Sequence, residues 1–131
     1  MTVAPVCRIG DPLQLTCTAS VQFIRWHIFR VNEQGILVEV INSVLIDSSD
    51  DNQRKQPEVD SARFTFERIS TQGTSPLIST LSIDSVSIGL NGTMIHCTDV
   101  ANPMVSASTT IQIVNISQIS ELTRLLIIVV T

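Results

Sequence analysis

Two cysteines and a lone tryptophan, each seated in its own short alternating segment, constrain this chain more than any other feature. In "LQLTC", Leu13, Leu15 and Cys17 point one way while Gln14 and Thr16 point the other, the two-residue period of a strand with one buried face. "FIRWHIF" reads as a second strand centred on Trp26, and "TMIHCTDV" as a third centred on Cys97. Around them the same texture repeats. Further strands read over residues 3–9, 36–41, 43–47, 62–69, 77–83 and 106–114. Leu81 and Ile83 take inward positions in one of these, and Ile111 and Ile113 in the last. Turn residues separate them: Gly10-Asp11-Pro12, Asn32 to Gly35, "TQGTSP" at 71–76, Asn91-Gly92 and Asn102-Pro103. Residues 47–61 carry charge, Pro57 and almost nothing to bury, and read as a surface loop. No stretch keeps a 3.6-residue period over a helix's length. Regular short strands between turns predict an all-β sandwich.

At 131 residues the chain is long enough for one domain with a real core. Apolar residues make up 44% and charged residues 15%, which argues against disorder over most of its length. The net charge is -4 and the longest basic run is Arg54-Lys55, so a nucleic-acid partner is not expected. There is no C-x-x-C pair, no glycine-rich phosphate cradle and no H-E-x-x-H. Neither an enzyme nor a bound cofactor or metal is expected from these motifs.

Cysteine, tryptophan and cysteine in three short strands resemble the core of an immunoglobulin-like domain of variable or intermediate type, from the cell-surface immunoglobulin superfamily. The resemblance covers residues 3–114 and implies a two-sheet, antiparallel Greek-key sandwich. It implies that Cys17 and Cys97 bridge the sheets and that Trp26 packs on the bridge, with Leu15, Leu81, Ile83 and Ile95 in the core. Such a bridge closes about 80 residues and would stabilise the fold by roughly 4–5 kcal/mol in the chain-entropy model. It also implies an oxidising setting, secreted or on the outer side of the plasma membrane. The family's D-x-G-x-Y-x-C pattern before its strand F is altered here. Asn91, Thr93 and Ile95 stand at the Asp, Gly and Tyr places. Ile95 has no hydroxyl for a tyrosine corner and should fill core volume instead. Arg63 stands where the family's arginine pairs with that aspartate, but Asn91 carries no charge to meet it.

The family's strands C, C′, F and G share one sheet. With Trp26 and Cys97 facing inward, the residues that follow them face outward, and His27 should lie opposite His96. Directly opposed Cβ atoms in antiparallel strands lie about 5 Å apart. Two imidazoles at that spacing can share a transition metal, or repel when both protonate near about pH 6. Two donors without a third make a poor metal site, so solvated side chains are the expectation. A Ser/His/Asp triad is likewise disfavoured, since both histidines face outward. Arg25, His27, Phe29, His96 and Thr98 are the candidate interface residues on this outer face. The acidic cluster Asp47, Asp50 and Asp51 lacks the spacing of a calcium loop.

Cys7 is the odd thiol. It reads as a buried small hydrophobe, as half of an intermolecular or interdomain disulfide, or as an alternative partner for Cys17 or Cys97. Two glycosylation sequons begin at Asn91 and Asn115. After residue 114 the character changes. Residues 1–114 read as the domain, 115–124 as a polar stalk, and 125–131 as an apolar end. "LLIIVV" is far short of the roughly 20 residues that cross a bilayer, and reads as a truncated single-pass anchor, a sticky extension or a last strand. "MTVAPVCRIG" lacks a basic start followed by an apolar leader, so a secreted domain would be expected to come from a fragment or an incomplete gene model.

The resemblance implies a non-enzymatic extracellular domain of an adhesion or recognition protein. Its partner would be a protein ligand or a second copy, met on the outer C–C′–F–G face. A structural, membrane-proximal spacer with no ligand of its own is the alternative. The chain has no tyrosine and one tryptophan, assigned to the core, which leaves few strong interface anchors.

Overall fold

The computed structural model describes residues 6–20, 22–49, 54–59, 62–102, 104–114 and 125–130. Its strands are β1 (Val6–Arg8), β2 (Leu13–Ala19), β3 (Phe23–Val31), β4 (Leu37–Asp47), β5 (Arg54–Lys55) and β6 (Glu58–Val59). They continue as β7 (Ala62–Arg68), β8 (Leu77–Ile83), β9 (Met94–Asp99), β10 (Ser106–Thr110), β11 (Gln112–Val114) and β12 (Leu125–Val130). A 3-10 turn, Ile88–Leu90, forms the corner before β9. One sheet runs β10-β9-β3-β4, and the other runs β12-β2-β8-β7-β5 with β6 beside β7. Within them every pairing is antiparallel except β12 on β2. A small third pairing sets β1 parallel to β11. The chain crosses from β2 to β3, returns for β7 and β8, and crosses again to β9. The fold is thus an all-β, immunoglobulin-like sandwich.

Period-two alternation builds the core. Leu13, Leu15, Cys17 and Ala19 of β2 are buried, as are Ile24, Trp26 and Ile28 of β3. Leu81, Ile83, Ile95, Phe64, Phe66 and Leu90 fill the space between the sheets. The Cys17–Cys97 disulfide ties β2 to β9 with its Cα atoms 6.7 Å apart. Trp26 lies opposite Cys97 in register, and its ring tilts against Phe66 with centroids 6.0 Å apart. The indole carries one polar atom into this apolar space. Its Nε1–H donates to Ser79 Oγ at 2.9 Å, and the Ser79 hydroxyl donates to the Glu67 carbonyl at 2.8 Å. Both donors are therefore paired, as buried donors must be.

The structure differs from the sequence reading in four elements. Residues 36–41 and 43–47 do not form two strands. They belong to the single strand β4, because no Gly or Pro breaks the chain between them. The irregularity is absorbed by register shifts against β3: Trp26 pairs with Val44, Ile28 with Ile41 and Phe29 with Glu39. The last expected strand splits into β10 and β11 at Ile111, whose N–H donates to the Thr93 carbonyl while its own carbonyl accepts from Gly92 N–H. Within 47–61, β5 and β6 pair with β7, and Asp50 and Asp51 lie outside the described residues. Finally, Leu125–Val130, read as an apolar end that could be an anchor, a sticky extension or a last strand, is a strand of the larger sheet. Among the described residues no helix is long and apolar enough to cross a membrane.

Candidate binding face

The outer side of the β10-β9-β3-β4 sheet gathers the chemically distinctive side chains. Antiparallel register sets His27 opposite His96 and Phe29 opposite Met94. The His27 and His96 rings stand 5.8 Å apart, centroid to centroid. Phe29 stacks on His27 at 5.8 Å with only 10° between planes, and tilts toward His96 at 6.4 Å. Three rings thus form one half-buried cluster. The bulges in β4 bring Glu39 to it, with its Oε2 2.9 Å from His27 Nδ1. Partial burial pushes the His96 imidazole below its ordinary pKa, and the neighbouring His27 pushes the same way. Among the described residues no group of three or more His, Cys, Asp or Glu is arranged to hold a metal ion.

At one edge of the cluster Arg25 Nη1 donates to Ser43 Oγ at 2.7 Å. Thr98 needs correction as an interface residue. It is 8% exposed, and its hydroxyl finds no hydrogen-bond partner among the described residues. The reason lies in the register: this short side chain sits between Arg25 of β3 and Ser106 of β10, and Arg25 is far longer.

At the other edge the β3–β4 hairpin is apolar and open to solvent. Val31 and Ile36 are each 60% exposed, and Leu37 and Val38 are nearly half exposed. Asn32 shapes the turn: its Oδ1 accepts the N–H groups of Gln34 and Ile36, both at 2.9 Å. Gly35 takes φ +79°, a conformation that side-chain-bearing residues rarely adopt. Alternation puts Val31 on the face of His27 and Phe29, and pairing puts Leu37 and Glu39 beside them. Behind the hairpin lies a groove of about 600 Å³ lined by Arg30, Val38, Val40, Gly89, Asn91 and others. Arg30 Nη2 donates to the Gly89 carbonyl there, pinning the hairpin to the corner.

The remaining candidates lie elsewhere. Cys7 is 1% exposed, sits opposite Ile113 in the β1–β11 pairing, and takes no part in the disulfide. Asn91 is exposed at the corner, but its Oδ1 accepts from the Ile113 N–H at 2.8 Å. This bond ties the corner to β11. Thr93, the hydroxyl residue of that sequon, is fully buried. Asn115 lies outside the described residues.

Sequence reasoning missed Glu39 and the exposed hairpin. Glu39 reaches His27 only through the β4 bulges, which leave no signature in composition. The hairpin did leave one: "VNEQGILV" has large apolar residues at both ends of a polar turn. Comparison with protein-family models, curated proteins and solved structures finds no match.

Proposed function

We propose that this chain is a non-enzymatic, extracellular immunoglobulin-like domain of a cell-surface adhesion or recognition protein, and that it binds through the outer β10-β9-β3-β4 face. One observation carries this reading. A half-buried ring cluster of His27, Phe29 and His96 shares one sheet face with the exposed Val31 and its register partner Leu37 of the hairpin. Aromatic and apolar side chains left partly open to water on a rigid sheet are what a protein partner covers. The buried disulfide supports an oxidising compartment, secreted or on the outer side of the plasma membrane. The family assignment rests on Cys17, Trp26 and Cys97 in their three strands.

The partner is a protein, or a second copy meeting the same face. Contacts with so few strong aromatic anchors are weak singly and gain strength through multivalency. The test follows from that. The domain, tetramerised on a carrier, is titrated onto intact cells and onto itself. Binding should be saturable and sensitive to protease treatment of the cells, and Phe29→Ala should weaken it several-fold. Binding that ignores Phe29→Ala overturns the choice of face. A domain that binds neither cells nor itself supports the spacer role instead.

A further inference from the structure

We propose that the outer edge of β2 is a strand-acceptor site, and that two copies of this chain exchange β12 across it. β12 lies along β2 from Leu125 opposite Gln14 to Val130 opposite Ala19. This is a parallel pairing. Parallel neighbours cannot be joined by a tight hairpin, so the register is set by the backbone ladder and the strand's own residues, whichever chain supplies them. β12 has no other strand partner among the described residues. It also passes close to β9 and β10 of the facing sheet, so it closes the side of the sandwich where β2 would otherwise present a bare edge.

The composition of β12 points the same way. Leu-Leu-Ile-Ile-Val-Val contains no charge, no proline and no glycine, the residues that usually keep an edge strand from pairing with other chains. Leu126, Ile128 and Val130 occupy the register of the buried Leu15, Cys17 and Ala19. Leu125, Ile127 and Val129 occupy the register of Gln14, Thr16 and Thr18, the outer row, and Val129 is 57% exposed. Exchange preserves every one of these pairings. It changes only which chain β12 comes from, so concentration during folding decides between closed monomer and exchanged dimer. The occupant is thus a second copy, and the outer face that carries the proposed binding function is not involved.

The experiment uses the register. Thr18 and Val129 are opposed on the outer row. Thr18→Cys and Val129→Cys are made singly, in full-length chains with different tags, and together in one chain. The two single variants are unfolded, mixed, refolded at rising concentration and oxidised. Linked peptides are then mapped by mass spectrometry. A link between position 18 of one tag and position 129 of the other, growing with refolding concentration, is the expected result. The double variant refolded dilute should link within one chain. If it does so while the mixed singles never link 18 to 129, exchange is excluded and β12 serves only its own chain. If the double variant fails to link at all, the acceptor site itself is wrong. Phe29→Ala should leave all of these links unchanged, which separates this result from the fate of the binding face.

Discussion

Single side chains settle two questions that strand patterns leave open. The first is how a tryptophan is buried without stranding its N–H. Ser79 does this, accepting from the indole and donating its own O–H to the Glu67 carbonyl. A serine in the middle of "LISTLSI" looks like an outward residue in a noisy strand. Its inward position was legible from alternation with Leu77 and Leu81, but its purpose appears only once Trp26 stands across from it. The second question is what pH does to the ring cluster. His96 is packed between Phe29 and His27, with Ser108 on its other strand neighbour, and Glu39 reaches only the far histidine. Its folded pKa lies below the ordinary 6.5 because burial, and then His27, disfavour the imidazolium. The unfolded chain therefore binds the proton more readily than the folded one in the window below 6.5. Stability should be level above that value and fall as pH drops through it. Denaturant midpoints of wild type and His96→Gln, measured between about pH 7.5 and 5, should diverge on the acid side, the variant losing less. Parallel curves would remove His96 as the source.

Elements show where local pattern was sufficient and where it was not. β2, β3 and β7 were readable because each alternates cleanly between a buried and a wet face, and a one-residue slip would expose Leu15, Trp26 or Phe66. β4 was not readable as one strand. Its bulges break the period, so "ILVEVINSVLID" looks like two fragments, and Glu39 was left without its place beside His27. β12 was not readable either, since six apolar residues in a row fit a strand, a buried helix segment or the start of a membrane span equally well. Only its register against β2 distinguishes these. The β3–β4 hairpin is the element whose role is most open to test. Its apolar residues touch solvent rather than core, so replacing them should change binding and leave folding alone. For Val31→Ser with Leu37→Ser, the expected loss of stability is within about 0.5 kcal/mol per site, typical of exposed positions. Binding of the tetramerised domain should fall at least as far as with Phe29→Ala. A large drop in denaturant midpoint would show that the hairpin packs in the fold and is no free surface.

At the scale of the whole molecule, the covalent link between the sheets also bears on where the protein can work. Cys17 and Cys97 are 80 residues apart in sequence, and both are fully buried beside Trp26. A closed loop of that length restricts the unfolded chain by roughly 4–5 kcal/mol. Whole domains of this size are stable by only about 5–15 kcal/mol, so losing the bridge removes a large share. The core around it is otherwise ordinary: apolar strands, one paired indole and no metal cluster among the described residues to substitute for the bond. The fold should accordingly depend on an oxidising compartment. Urea denaturation of the oxidised protein and of a Cys17→Ala, Cys97→Ala double variant is the measurement. The variant's midpoint should fall by an amount equivalent to about 4 kcal/mol or more, since two cavities beside Trp26 add to the lost constraint. Reductant should destabilise the wild type by a similar amount and leave the variant unmoved. A double variant as stable as the oxidised protein would mean that packing alone holds the two sheets together, and the case for an extracellular setting would lose its physical basis.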